Sequence, residues 1–145
     1  MKKPLLKLAS LLVAASLTLG GFVAQAAKPF AKHKVVLQIS DPNPFKQTLV
    51  LNVAGNLVKH YGEDDVDIEI VAFGPGLRLL FDGNANAGRI EGLAQKGVRF
   101  SACTNTVRNM SKKHPIKLGS HAVKVSAGVV QILDLIKKGY VLVKP

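Results

Sequence analysis

Five stretches of alternating hydrophobicity are separated by stretches with helical spacing, and this alternation limits the possible folds more than any other feature. Lys34 to Ser40, Val66 to Ala72, Val98 to Ala102, Ala122 to Val125 and Tyr140 to Val143 read as strands. Helices are predicted from Phe45 to about Tyr61, from about Asn86 to Lys96, after Thr104 and Asn105 through Val107 and Met110 to about Lys113, and from Ala127 to Lys138. Asn43 can cap the first helix, Pro44 suits its first position, and Gly62 stops it. Its expected buried stripe is Leu49, Val50, Val53, Ala54, Leu57 and Val58; that of the last helix is Val130 and Leu133 with Ile136 or Leu135. Leu77 to Phe81 reads as a short helical turn, and Lys28 to His33 as a flexible lead-in. Strand and helix in regular alternation predict an α/β domain with a mostly parallel sheet.

The strand faces refine that expectation. One face collects Val35, Leu37, Ile39, Val66, Ile68, Ile70, Val98, Phe100 and Ala102. The other collects Gln38, Ser40, Asp67, Glu69, Arg99 and Ser101. A parallel sheet covered equally on both sides would be apolar on both. Right-handed crossovers put successive helices on one face when strands add in one direction. The first three strands are therefore expected to be sequential neighbours, with their helices over the apolar face. The polar face is left to the fourth helix or to another subunit, and Asp67 or Glu69 is expected to pair with Arg99.

The N-terminus is read separately. Lys2, Lys3 and Lys7 precede an uncharged run from Leu8 to Ala24, and Ala24-Gln25-Ala26 is a small-x-small cleavage signal. This is the pattern of a secretory signal peptide over residues 1–26. It predicts a periplasmic or secreted mature protein starting near Ala27, a single domain over 27–145, and no membrane contact beyond the leader. Loss of three lysines takes the formal charge from +11 to +8. A basic surface favours anionic partners, but few aromatics, no Trp and no nucleic-acid motif argue against a nucleic-acid binder. His33, His60, His114 and His121 show no metal-ligand spacing, and no metal or cofactor is expected. His121 precedes the fourth strand and is a weak candidate to approach the site.

The single cysteine stands at the end of the third strand, in Gly97-Val98-Arg99-Phe100-Ser101-Ala102-Cys103-Thr104-Asn105-Thr106. Thr104 and Asn105 offer caps for the helix that follows. A thiol at a strand-to-helix turn meets exposed N–H groups and the helix dipole, which favour its thiolate. Ligands of parallel α/β sheets bind beyond the carboxyl ends of the strands. Three loops meet that description: Ser40-Asp41-Pro42-Asn43, Phe73-Gly74-Pro75-Gly76 and Cys103-Thr104-Asn105-Thr106. The candidate site is Cys103 with a pocket of Ser40, Asp41, Asn43, Gly74, Pro75, Gly76, Thr104, Asn105 and Thr106. Asp41 can act as an acid or base there, or serve as a turn residue accepting backbone hydrogen bonds. Cys103 can be a nucleophile, or a small residue packed at a strand end.

The mature chain resembles the DsrE/DsrF-like family of the sulfur-relay and sulfur-oxidation group. The matching pieces are Lys34-Val35-Val36-Leu37-Gln38-Ile39-Ser40, Ile70-Val71-Ala72-Phe73-Gly74-Pro75-Gly76-Leu77, the Gly97 to Thr106 stretch, Ser126-Ala127-Gly128-Val129-Val130 and Lys138-Gly139-Tyr140. The resemblance implies a three-layer sandwich with a five-stranded, mostly parallel sheet, and homo-oligomers, commonly trimers or hexamers. Cys103 falls on the position at which sulfur-relay members carry a persulfide. That implies a sulfur carrier exchanging with a donor or acceptor protein, or with a small anionic sulfur compound. The alternative is a non-catalytic oligomeric binding protein in which Cys103 is structural.

Overall fold

The computed structural model describes residues 26–145; the signal peptide expected over residues 1–26 lies, up to Gln25, outside the described residues. The elements run β1 (His33–Ile39), α1 (Pro44–Tyr61), β2 (Val66–Ala72), a 3-10 helix (Gly74–Leu80), α2 (Ala87–Gln95), β3 (Arg99–Cys103), α3 (Thr104–Ser111), β4 (Ala122–Val125), α4 (Gly128–Lys137) and β5 (Val141–Val143). The strands form one sheet in the order β4-β3-β2-β1-β5, and every pairing is parallel. Helices lie on both sides, so the architecture is a three-layer α/β sandwich.

The layers follow from the order of the strands. β1, β2, β3 and β4 add in one direction, so right-handed crossovers put α1, α2 and α3 on one face. The chain then returns across the whole sheet to add β5 beside β1, and α4 makes that crossing on the other face. The first face holds the main core: Leu37, Ile68, Ile70 and Phe100 from the strands meet Val50, Leu51 and Ala54 of α1 and Leu77 and Leu79 of the 3-10 helix. Ile90, Leu93 and Ala94 of α2 complete it. The second face has a smaller core of Val36 and Val71 beneath Ile132, Leu135 and Tyr140.

Two expected stripes are turned. In α4 the buried residues are Gly128, Ile132 and Leu135, whereas Val130, Leu133 and Ile136 are exposed. The apolar arc of the helix is wider than the face it buries, with Gln131, Asp134 and Lys137 on the remaining side, so periodicity alone does not choose which part of that arc turns inward. In α1, Leu51 is buried and Leu49 exposed, because Leu51 shares a face with Gln47, Val50, Ala54 and Val58.

The lead-in is not loose. The Lys28 backbone N–H donates to Asp67 Oδ2 at 2.9 Å, and its Nζ donates to the carbonyls of Glu63, Val66 and Lys96. Asp67 anchors a buried polar network on the α4 side of the sheet. Arg99 pairs with both Asp67 and Glu69, and Arg99 also donates to the Tyr140 hydroxyl at 3.0 Å. Tyr140 donates to Asp67, while Ser101 and Gln131 donate to Glu69 at 2.6 and 2.7 Å. No buried side-chain nitrogen or oxygen among the described residues lacks a partner. The polar strand face is thus closed by its own ion pairs and by α4.

Candidate functional site

Cys103 lies where the layer topology reverses. α3 follows β3 on one side of the sheet, and α4 follows the neighbouring β4 on the other. Such a switch point opens a crevice beyond the carboxyl ends of the strands. Two helix N-termini flank it, and Cys103 occupies the N-cap of α3 with extended backbone. The thiol itself therefore stands in the cap position, rather than the Thr104 or Asn105 side chain. It closes no cap hydrogen bond of standard geometry.

The surroundings of the sulfur oppose one another. Burial pushes the Cys103 thiol up; the Thr106 hydroxyl and the N–H groups of Thr106, Gly128 and Asn105 pull it down and prevail. The thiol is held below its ordinary range, as expected where N–H dipoles converge. The Thr106 hydroxyl has a defined orientation. Its oxygen accepts the Gly74 N–H at 2.9 Å, which leaves its own proton for the sulfur. Cys103 is buried, with 5% of its surface exposed.

Gly74 and Thr106 therefore join Cys103 in one constellation, with Asn105 contributing its N–H. Gly76 sits beside β1: a Cβ there would lie 2.4 Å from the Ile39 carbonyl oxygen, so only glycine allows the 3-10 helix to pass this closely. Pro75 occupies the first turn of that helix and is exposed, and Thr104 opens α3 half-buried. Ser40, Asp41 and Asn43 serve the first loop. Ser40 Oγ accepts from Gln38 at 3.2 Å. Asp41 accepts the Asn43 N–H at 2.9 Å and pairs with Lys46 at 3.3 Å. That N–H and then Lys46 hold its carboxyl below the usual carboxylate range. Asn43 caps α1 by accepting from the Phe45 N–H at 2.9 Å. Asp41 is accordingly a turn residue. His121 precedes β4, whose far end, Val125, pairs with Cys103, so His121 lies towards the opposite end of the sheet.

Sequence reasoning missed Gly128. Its N–H reaches the sulfur from a helix 25 residues further along the chain, across the switch point. The signal was a glycine opening a helix immediately after a strand. A Cβ at Gly128 would lie 2.9 Å from Phe73 Cβ, so the glycine lets α4 start close to the site. Among the described residues no group of His, Cys, Asp or Glu is arranged to hold a metal ion, and no helix is long and apolar enough to cross a membrane.

Among solved structures, the chain is similar to MTH1491, a protein of unknown function from Methanobacterium thermoautotrophicum. The two are 28% identical with a TM-score of 0.70, over 78% of this chain and 99% of that one. No protein-family model matches the chain, and no curated protein does.

Proposed function

We propose that this protein is an exported sulfur carrier in which Cys103 accepts a sulfur atom as a persulfide and passes it on. One observation carries the reading. The single cysteine stands at the topological switch point, with N–H groups from two helix N-termini and an oriented hydroxyl acting on its sulfur. The DsrE/DsrF-like resemblance gives that arrangement its chemistry. The Cys103 thiolate attacks the outer sulfur of a donor persulfide, RS–SH. A new S–S bond forms at Cys103, the donor S–S bond breaks, and RS⁻ leaves with the electron pair. Delivery is the reverse reaction with an acceptor thiolate, so no external oxidant is needed.

The second reading is a non-catalytic oligomeric binding protein with Cys103 structural. Burial of the thiol favours it. The two part on a transfer assay. Protein exposed to inorganic polysulfide and freed of excess is expected to release sulfur to cyanide as thiocyanate, whereas Cys103→Ser with intact fold releases none. Equal release from both proteins sinks the carrier.

Self-association, as a trimer or hexamer, is part of the proposal. Val129, Val130, Leu133 and Ile136 form an exposed stripe on α4, and β5 presents exposed Val141, Leu142 and Val143 at the sheet edge. Asp134 and Lys137 beside the stripe pair with each other at 3.7 Å. On a mature chain of charge +8, such a locally neutral apolar face is where copies meet at least electrostatic cost.

A further inference from the structure

The buried network on the α4 side does nothing in the sulfur reaction, and its charges do not cancel. Asp67 is fully buried and Glu69 nearly so, against one guanidinium, that of Arg99. The Lys28 ammonium does not supply the missing charge, because its Nζ is turned to the backbone carbonyls of Glu63, Val66 and Lys96. Besides the Tyr140 hydroxyl, what reaches Asp67 from outside the sheet is the main chain, through the Lys28 N–H on Oδ2 at 2.9 Å. The residue before Lys28 is Ala27, which is exposed, and the cleavage signal Ala24-Gln25-Ala26 ends at the bond joining Ala26 to Ala27. We propose that Asp67 is the receptor for the chain's own processed N-terminus.

A leader endopeptidase hydrolyses the Ala26–Ala27 peptide bond. The C–N bond breaks, water gives its hydroxyl to the Ala26 carbonyl carbon and a proton to the Ala27 nitrogen, and the amine takes a further proton from solvent. The α-ammonium so formed is one residue, about 3.8 Å of chain, from the residue whose N–H already holds Asp67. It offsets the excess negative charge of the buried network from the side on which the Lys28 N–H meets Asp67. The Lys28 side chain fixes the approach by clamping the strap across the loop before β2 and the end of α2. In the uncleaved precursor the same position is a neutral amide. Removal of the leader therefore consolidates the fold as well as releasing it.

This inference rests on the leader reading, not on the chemistry of Cys103. The test compares the chain beginning at Ala27 with a free amine, the same chain acetylated there by an N-terminal acetyltransferase, and a chain beginning at Gln25. Thermal unfolding is followed at low ionic strength and in 1 M salt, all three chains keeping every side chain. The free-amine form is expected to melt a few degrees higher than either of the others, about 2–6 °C. The gap is expected to narrow in 1 M salt, because the ammonium is near solvent. Identical melting of the three at low salt overturns the proposal, as does a gap that persists unchanged when Asp67→Asn is introduced in all three. The terminus of the exported protein, read by mass, tests the leader separately. A free Ala27 terminus with no melting difference leaves export standing and removes Asp67 as its receptor.

Discussion

At the scale of single residues, Cys103 and Thr106 work as a pair. The thiol's folded pKa is depressed, so the unfolded chain binds more protons in the window between the folded value and that of a free cysteine, about 8.5. Stability from this group is present above that window and lost as pH falls through the folded pKa. Alkylation of the native thiol is expected to show a pH midpoint below that of a free cysteine. Thr106→Val is expected to move the midpoint upward and, by orphaning the Gly74 N–H, to cost about 1 kcal/mol in denaturant unfolding. An unmoved midpoint would mean that the hydroxyl does not act on the sulfur. Tyr140 gives the opposite sign. Burial and its hydrogen bond to Asp67 push it up to about 12. Its contribution is complete below the ordinary tyrosine value, about 10, and is lost as pH rises towards the folded one. A titration of tyrosinate absorbance is expected to show a late step that Tyr140→Phe removes. Arg99→Met leaves two buried carboxylates without their cation and is expected to cost about 3–5 kcal/mol.

At the scale of elements, α4 carries three roles on three sides. Its first N–H faces Cys103, Ile132 and Leu135 close the second core, and Val129, Val130, Leu133 and Ile136 face outward. Gly128→Ala must push the helix start away from Phe73. It is expected to raise the thiol pKa while leaving the helix folded, with the alkylation profile as the readout. Leu133→Glu touches only the outward stripe and is expected to leave a folded monomer, visible as a lower sedimentation coefficient. An unchanged coefficient would remove α4 from any assembly. The same helix shows where sequence reasoning reached its limit. The period of the first three strands assigned their faces correctly, because each had a polar side to compare. α4 has an apolar arc wider than one face, and the part that turns inward is set by Val36 and Val71 on distant strands. Gly128 and the Lys28 strap were hidden for a related reason. Gly128 acts on the sulfur, and Lys28 on Asp67, through backbone N–H groups, which every non-proline residue carries and no side-chain pattern marks.

At the scale of the whole molecule, a sheet extended in one direction and then closed by a single return puts three helices on one face and one on the other. That topology also fixes the crevice, since the reversal brings the start of α4 beside the end of β3. Strand alternation and the contrast between strand faces were enough to read the sheet's neighbours and the Asp67, Glu69 and Arg99 cluster. The site was legible to the extent that Cys103 ended a strand. The turn role of Asp41 and the cap role of Asn43 were legible in Asp41-Pro42-Asn43-Pro44, whereas the joining of Gly74 to Thr106 required the packed loops. Whether this crevice holds a sulfur-accepting thiolate can be read from the intact mass of the protein. It should be taken from its native compartment before and after reductant, with peptide mapping. A sulfur carrier is expected to show a reductant-removable adduct of one or more sulfur atoms on Cys103. A thiol that is unmodified as isolated, and still unmodified after exposure to polysulfide, would contradict it and leave the binding-protein reading in its place.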